Sequence, residues 1–261
     1  WSTDGITWTQ ATASAEWSGR YCHTSVVYDG KMWVMGGYDG SSHKNDVWWS
    51  TDGITWTQAT ASAEWGARTR HTSVVYDGKM WVIGGDYGGS RKNDVWWSTD
   101  GITWTQATAS AEWSVRDFHT SVVYDDKMWV MGGYGGKSGK NDVWWSTNGI
   151  TWTQATASAE WSIRSGPTSV VYDGKMWVMG GSAGSCKNDV WWSTDGITWT
   201  QATASAEWSV RYQHTSVVYD DKMWVMGGSD GSSYKNDVWW FTVGDPGDPG
   251  DPGDPGAQYQ F

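Results

Sequence analysis

The sequence is poor in features that define several common protein classes. It has only two cysteines, Cys22 and Cys186, where other copies of an internal repeat carry different residues, so no disulfide framework is expected. The net charge is −11 and no basic stripe is present, which disfavours nucleic acid and anionic membranes as partners. No apolar run approaches the roughly 18 residues of a membrane-spanning helix. No stretch has a 3.6-residue apolar period, so little helix is expected.

Phenylalanine is also scarce, with three residues against 26 tryptophans. The hydrophobic content is only 38%. Each indole buries about 150–250 Å², however, so tryptophan alone provides for a sizeable core.

The chain is built from five near-copies of one unit. The pair Gly36-Gly37 recurs four more times, at steps of 48, 48, 48 and 47 residues. Each unit predicts four antiparallel strands, with turns at Asp-Gly pairs. In the first unit these are strand a (23–28), strand b (31–37), strand c (45–50) and strand d (54–60). Units of this length with four strands are typical of propeller blades.

Counting strands predicts how the ring closes. Residues 6–12 carry a d-type sequence, and the last c-type sequence lies at 236–240. The prediction is therefore an all-β fold over residues 1–243, a five-bladed propeller of four-stranded antiparallel blades closed by the N-terminal d strand. Closure removes exposed sheet edges. The alternatives are blades shared between chains, or a piece of a longer array.

The repeat resembles those of the kelch-repeat propellers. Because it is rich in tryptophan, it resembles the bacterial type of that family. The resemblance rests on the diglycine that ends strand b, on Arg-x-x-His before strand a, and on a tryptophan in strand d (Trp8, Trp56, Trp104, Trp152 and Trp199). It implies a propeller that binds proteins, binds sugars or carries an oxidase site. The sequence departs from the family at Trp48-Trp49, where a Tyr-rich motif is usual, and in its low blade number. The stretch from Ser2 to Trp8 also resembles a shortened Asp-box, which is a structural c–d turn.

Differences between the copies concentrate in two windows, one before strand a and one after the diglycine. In an up-and-down blade both connections emerge on one face, here called the variable face. Its Tyr-, Ser-, Gly- and Asp-rich composition is similar to that of antibody binding loops. The alternative is neutral drift or design variation. The candidate ligand-binding residues are Tyr21, Tyr38, Asp39, His43, Arg70, Asp86, Tyr87, Arg91, Asp117, Phe118, Tyr134, Lys137, Tyr212, Gln213, Asp230 and Tyr234.

Several repeated residues are open to two interpretations. The arginines Arg20, Arg68, Arg116, Arg164 and Arg211 either support the loops or contact a ligand. The tryptophans Trp17, Trp65, Trp113, Trp161 and Trp208 either stack on sugars or are buried between blades. The histidines His23, His71, His119 and His214 suggest a metal ring, but Pro167 takes the fifth place, which favours structural hydrogen bonding. No acid–base or nucleophile–base constellation is unique, so no catalytic residue, metal or cofactor is predicted.

From residue 244 onward the triplet Gly-Asp-Pro occurs four times, followed by a strand-like Ala-Gln-Tyr-Gln-Phe. The composition favours an extended acidic spacer over a collagen-like helix. The leading hypothesis is a secreted or cell-surface propeller that binds a protein or glycan through the variable face. A second hypothesis is a subunit of an extracellular fibre or array, assembled as a homo-oligomer through this tail. A third is a designed or amplified repeat without a natural ligand.

Overall fold

The computed structural model describes residues 1–242, and this part of the chain contains nineteen β-strands and no helix. The first sheet has β1 (Thr24–Tyr28), β2 (Lys31–Tyr38), β3 (His43–Ser50) and β4 (Thr57–Thr60). The second has β5 (Thr72–Tyr76), β6 (Lys79–Tyr87), β7 (Ser90–Ser98) and β8 (Thr105–Thr108). The third has β9 (Thr120–Tyr124), β10 (Lys127–Met131), β11 (Val143–Ser146) and β12 (Thr153–Thr156). The fourth has β13 (Thr168–Tyr172), β14 (Lys175–Met179), β15 (Val190–Ser193) and β16 (Thr200–Thr203). The fifth has β17 (Thr215–Tyr219), β18 (Lys222–Met226) and β19 (Val238–Phe241).

Neighbouring strands follow sequence order in every sheet, and the pairs are antiparallel. The prediction of an all-β, five-bladed propeller is confirmed. The sheets are called blades 1 to 5 below. Two compact units divide the chain: residues 1–129 with 144–153, and residues 130–143 with 154 onward.

Each unit has its own apolar core of Trp, Met and Val side chains. In the first unit Trp33 and Met35 of blade 1 pack with Met80 and Val82 of blade 2. In the second unit Trp177 of blade 4 packs in the same way with Met223 of blade 5. Strand b is therefore buried on both faces, which explains its continuous apolar sequence.

The turn between strands a and b has the predicted hairpin chemistry. Asp29 and Gly30 have φ angles of 49° and 67°. Positive φ at both central residues is the requirement of a type I′ turn. Asp126 and Asp221 adopt φ of 52° where the other copies have glycine, so the turn tolerates an aspartate at this position.

The turn between strands c and d is closed by side chains. Asp52 Oδ1 accepts hydrogen bonds from the N–H groups of Ile54 and Thr55, at 2.8 and 3.0 Å. Since these two amides are used in the turn, strand d starts at Thr57, three residues later than predicted. Asn148 accepts the same two bonds through Oδ1, as expected for a structural turn residue.

The diglycine lies where neighbouring backbone is too close for a side chain. A Cβ on Gly37 would stand 2.8 Å from His23 Cβ and 2.9 Å from the Tyr21 carbonyl oxygen. A Cβ on Gly36 would stand 2.9 Å from His71 Cε1 of the next blade. The expected close approach is confirmed, and it occurs on two sides.

The N-terminal segment departs from the prediction. Residues 1–20 contain no strand, and among residues 1–242 the fifth sheet has three strands rather than four. The strand predicted at residues 6–12 is therefore not formed. Thr9 N–H instead donates to Trp1 O at 2.8 Å, the position that Thr57 has beside Trp49.

The predicted tail, residues 244–261, lies outside the described residues. The proposed spacer and the strand-like terminus therefore stay predictions.

Candidate variable-face binding site

The two variable windows are joined by backbone hydrogen bonds in four blades. Tyr21 and Tyr38 exchange two bonds of 3.0 Å in blade 1. The equivalent reciprocal pairs in the other blades are Thr69 with Asp86, Ser165 with Ser182, and Tyr212 with Ser229. Residues of the two windows are thus adjacent in each of these blades, and their side chains emerge side by side.

The repeated arginines support the two variable windows through buried hydrogen bonds to strands b and c. Arg68 donates from both terminal nitrogens to the two oxygens of Asp94, at 2.8 and 2.9 Å, and also to Gly84 O. Such bidentate pairs are among the strongest side-chain hydrogen bonds. Arg20, Arg164 and Arg211 make the equivalent pairs with Asp46, Asp189 and Asp237. Their side chains are buried, so this geometry is that of a loop support.

The pKa values of the partners Asp46, Asp189 and Asp237 are lowered. Hydrogen bonds from the Arg211 guanidinium lower the pKa of Asp237 to about 2, against the opposing effect of burial. Burial of Asp46 acts to raise its pKa, but hydrogen bonds from Arg20 and Trp48 lower it below the ordinary value.

Three of the histidines, His71, His119 and His214, are structural hydrogen-bonding groups. His71 Nε2 lies 3.1 Å from Thr24 Oγ1 of the preceding blade, and His214 Nε2 lies 3.1 Å from Thr168 Oγ1. Burial, with the nearby Arg211 charge, lowers the pKa of His214 to about 3. Among residues 1–242 no group of three or more His, Cys, Asp or Glu is placed to hold a metal ion.

The variable face of blades 1 and 2 carries a row of aromatic rings, here called the aromatic row: Tyr21, Tyr38, His43 and Tyr87. Successive ring centroids are 5.5, 5.0 and 5.1 Å apart, and each pair meets edge to face. The contact of His43 with Tyr87 crosses from one blade to the next. Tyr21 and Tyr87, at the two ends, are 56% and 53% exposed. None of the four is a residue of the constant repeat.

The residue before each histidine has a left-handed backbone that the sequence did not predict. Cys22, Arg70 and Phe118 have φ of 55°, 58° and 55°. Arg70 N–H donates to Cys22 O at 3.0 Å, and Phe118 N–H donates to Arg70 O at 3.1 Å. Gln213 and Gly166 form the same link at 2.8 Å in the second unit. Among these positions only Gly166 indicates a left-handed backbone from the sequence, because glycine adopts positive φ most readily.

A charged cluster surrounds this position in the first unit. Asp117 is fully buried; its Oδ1 lies 2.9 Å from Arg91 Nε, and its Oδ2 lies 3.5 Å from Arg70. The Arg70 guanidinium also lies 4.5 Å from the centre of the Phe118 ring. Burial raises the pKa of the neighbouring Cys22 thiol, and the Arg70 charge opposes that rise. Cys22 and Cys186 are both free thiols.

Comparison with known families agrees with this architecture. The family model for the KLHDC2/KLHL20/DRC7 Kelch-repeats domain matches residues 50–207, and the Kelch motif model matches residues 19–49 and 211–243. The chain belongs to the kelch-repeat family. Kelch propellers typically mediate protein binding and are generally non-enzymatic. The search of curated proteins found no match.

The kelch scaffold exposes the candidate binding residues unequally. Tyr21, Tyr87, Lys137, Gln213 and Tyr234 are exposed. Asp86 and Asp117 are buried, which the sequence did not reveal. The partners of Asp117 come from other connections of the fold, whereas Asp86 Oδ2 accepts the Gly89 N–H of its own loop. The other residues of the predicted set are partly buried: Tyr38, Asp39, His43, Arg70, Arg91, Phe118, Tyr134, Tyr212 and Asp230.

Two of these aspartates shape their own loops. Asp39 Oδ1 accepts the N–H groups of Ser41 and Ser42 at 2.9 and 2.7 Å, and Asp39 pairs with Lys44. Hydrogen bonding to Lys44 and to these two amides holds its pKa well below the ordinary range. Asp230 does the same in blade 5 with Lys235.

The repeated tryptophans before the arginines are not available for sugar stacking in most blades. Trp65, Trp113, Trp161 and Trp208 are buried, and Trp17 is partly buried. Trp65 meets Trp104 edge to face at 6.0 Å, so the indoles pack on one another.

Among residues 1–242 there is also no helix that could span a membrane.

Proposed function

We propose that this kelch propeller binds a protein partner through the aromatic row of blades 1 and 2, and that it acts as a binding module rather than as an enzyme. The observation that carries the proposal is the row itself. Four rings at variable positions of the repeat are in continuous contact over two blades, with the end rings more than half exposed.

The chemistry of the row suits a protein surface. Tyrosine combines a large apolar face with a polar tip and loses little entropy when it is immobilised, so it is enriched among interface residues that carry most of the binding energy. The edge-to-face packing fixes the rings before a ligand arrives, which lowers the cost of binding.

The scaffold keeps the row in place. The backbone pair of Tyr21 with Tyr38 joins the two windows, and the buried Arg20–Asp46 pair supports blade 1 at 2.6 Å. Rigid elements that carry varied loops are a common basis for recognition. Three carboxylates of the same face are paired with Lys or Arg: Asp39 with Lys44, Asp117 with Arg91, and Asp230 with Lys235. This arrangement supports binding more than acid–base chemistry.

The test uses a phage library of random 12-residue peptides selected on the full chain. The affinity of a selected peptide is then measured for wild type, Tyr21→Ala and Tyr87→Ala. We expect each substitution to weaken binding by about 30-fold, the effect of losing an interface residue worth about 2 kcal/mol. Tyr234→Ala is the control, because Tyr234 is an exposed variable-face tyrosine outside the row.

Two outcomes would reject the proposal. One is that the Tyr21 and Tyr87 variants bind as tightly as the Tyr234 variant. The other is that a glycan array gives binding that depends on the row while no selected peptide does, which would assign the face to sugars.

A further inference from the structure

The loop between β2 and β3 joins two rings of the aromatic row. β2 ends at Tyr38 and β3 begins at His43, and these two residues lie opposite each other in the sheet. The connection consists of residues 39–42, none of which carries an apolar side chain. Residues 40–42 are exposed. Because the loop has no apolar contacts of its own, polar contacts must fix its conformation.

The carboxylate of Asp39 makes these polar contacts. Its Oδ1 accepts the N–H groups of Ser41 and Ser42, at 2.9 and 2.7 Å, and the Ser41 hydroxyl at 2.9 Å. Its Oδ2 lies 2.6 Å from Lys44 Nζ. The Asp39 N–H also donates to Ser42 O at 3.2 Å. One side chain therefore ties the far end of the loop to its start.

Lys44 is held in place by the scaffold. It pairs with Gly37 between β2 and β3, and its carbonyl oxygen accepts the Arg68 N–H of blade 2 at 3.0 Å. The side chains of Lys44 and Asp39 are only 28% and 13% exposed. A partly buried ion pair is screened less by salt than an exposed pair. The ammonium of Lys44 thus links the loop to a fixed part of the blade.

Blade 5 contains the same loop in a different setting. The sequence Asp-Gly-Ser-Ser-x-Lys occurs at residues 39–44 and again at 230–235. Asp230 Oδ1 accepts the N–H groups of both serines at 2.7 Å, and Asp230 Oδ2 lies 2.6 Å from Lys235 Nζ. The hydrogen bonds and the ion pair of blade 1 are therefore reproduced.

The rings are not reproduced with them. Ser229 takes the place of Tyr38, and Tyr234 takes the place of His43. Tyr234 is 92% exposed, whereas His43 contacts both Tyr38 and Tyr87. The loop network thus forms without a row of packed rings. The carboxylate sets the loop conformation, and the contact between the rings of blade 1 follows from it.

We propose that Asp39 is a positioning residue of the aromatic row, whose carboxylate holds Tyr38 and His43 in contact before a partner binds. Since Asp39 uses both carboxylate oxygens within its own loop, it acts through the rings and not by contact with the partner. Rings that are already fixed lower the entropy lost on binding. The expected effect on affinity rests on the proposed function of the row, whereas the effect on the rings does not.

The first test needs no ligand. The His43 ring centre lies 5.0 and 5.1 Å from those of Tyr38 and Tyr87, so their ring currents displace its proton resonances. These resonances are measured by NMR on the full chain and assigned with His43→Gln. In Asp39→Ala they should move toward the positions of a histidine in the unfolded chain. Asp230→Ala removes the same network from blade 5 and should leave them unchanged.

The second test uses a phage-selected 12-residue peptide whose binding depends on Tyr21. We expect Asp39→Ala to weaken its binding by about 10-fold, because the rings of Tyr38 and His43 must then be immobilised by the peptide. Asp39→Asn keeps an acceptor oxygen for the loop amides and should recover most of the affinity. Asp230→Ala should bind like wild type, although both alanine variants should lower the urea midpoint. This difference separates positioning from stability.

Unchanged His43 resonances in Asp39→Ala overturn the proposal, whether or not a peptide binds. Equal peptide affinities of Asp39→Ala and Asp230→Ala also overturn it. If no selected peptide depends on Tyr21 or Tyr87, the proposed function fails, and the resonances alone decide the role of Asp39.

A second pair of variants serves if Asp39→Ala does not fold by circular dichroism. Lys44→Met removes only the ion pair and keeps the bonds from the loop amides to Asp39. It should move the His43 resonances in the direction of the unfolded chain, and Lys235→Met should not. Resonances that stay in place in Lys44→Met then overturn the proposal.

Discussion

The guanidinium of Arg68 and the carboxylate of Asp94 meet through two parallel hydrogen bonds of 2.8 and 2.9 Å, with the Arg68 side chain almost fully buried. The Arg68 Nη1 that donates to Asp94 Oδ1 also donates to Gly84 O. One side chain of the d–a loop therefore binds both strand b and strand c. This connection fixes the diglycine, and with it the start of the variable loop.

Removal of Arg68 should therefore be costly. We expect Arg68→Ala to lower the free energy of unfolding by about 3–5 kcal/mol, since it leaves a carboxylate without its partner at a mostly buried site. Urea denaturation followed by tryptophan fluorescence measures the change. Lys79→Ala removes the partner of exposed Asp77, and it should cost less than about 1 kcal/mol. Equal losses in the two variants would show that the Arg68 pair has no special role.

The buried histidines should make the fold sensitive to acid. The pKa of His214 is about 3 in the folded chain, below its ordinary value near 6.5, so the unfolded chain binds the proton first. Its contribution to stability is complete above about pH 6.5 and is lost progressively as pH falls toward 3, by up to about 1.4 kcal/mol per pH unit. His71 shifts in the same direction because of burial.

Urea unfolding at pH 7, 5.5 and 4 checks this dependence, with His214→Gln as the comparison. The variant should lose less stability between pH 7 and 4 than wild type does. Asp237, with its pKa lowered to about 2, contributes stability that is present above about pH 4 and disappears only as pH approaches 2. A pH dependence unchanged in His214→Gln would contradict the assignment to this histidine.

Gly37 should be far less replaceable than Gly30. Alanine at Gly37 meets His23 and the Tyr21 carbonyl in a left-handed backbone with φ of 96°. We expect Gly37→Ala to cost about 2–5 kcal/mol, from backbone strain and overpacking together. Gly30 also has positive φ but open space around it, so Gly30→Ala should cost about 1–2 kcal/mol. Thermal unfolding of the two variants ranks them directly.

The single asparagine of the c–d turns offers a stabilising change. Asn148 accepts the amides of Ile150 and Thr151 with a neutral oxygen, whereas the other turns use a carboxylate. Charge-assisted hydrogen bonds are stronger, so Asn148→Asp should raise the urea midpoint at pH 7. Asp100→Asn is the reverse exchange in another blade and should lower it. The urea midpoint must rise in Asn148→Asp and fall in Asp100→Asn; a change in the same direction in both variants would contradict the explanation.

Much of the scaffold was predictable because the repeat displays it five times. The Asp29-Gly30 hairpin and strand b follow from local turn chemistry and apolar runs. The length of strand d did not follow, because Asp52 withdraws the amides of Ile54 and Thr55 from the sheet. The strand predicted at residues 6–12 is not formed. Its predicted partner, the last c strand, is far away in sequence, so local sequence does not specify the pairing.

The candidate site was predictable as a region and not in its details. Comparison of copies identified both windows, and the structure joins them through Tyr21 and Tyr38. The burial of Asp117 was not predictable, since Arg91 and Arg70 reach it from connections far away in sequence. The role of the arginines stayed open because either role requires the same residue type.

The backbone links through Cys22, Arg70 and Phe118 have an evolutionary consequence. Each link uses only an amide and a carbonyl, so it forms with several different side chains at that position, within the limits that the left-handed backbone sets. The position therefore carries a thiol in Cys22, a cation in Arg70, an aromatic ring in Phe118 and no side chain in Gly166, while the backbone links between blades stay the same.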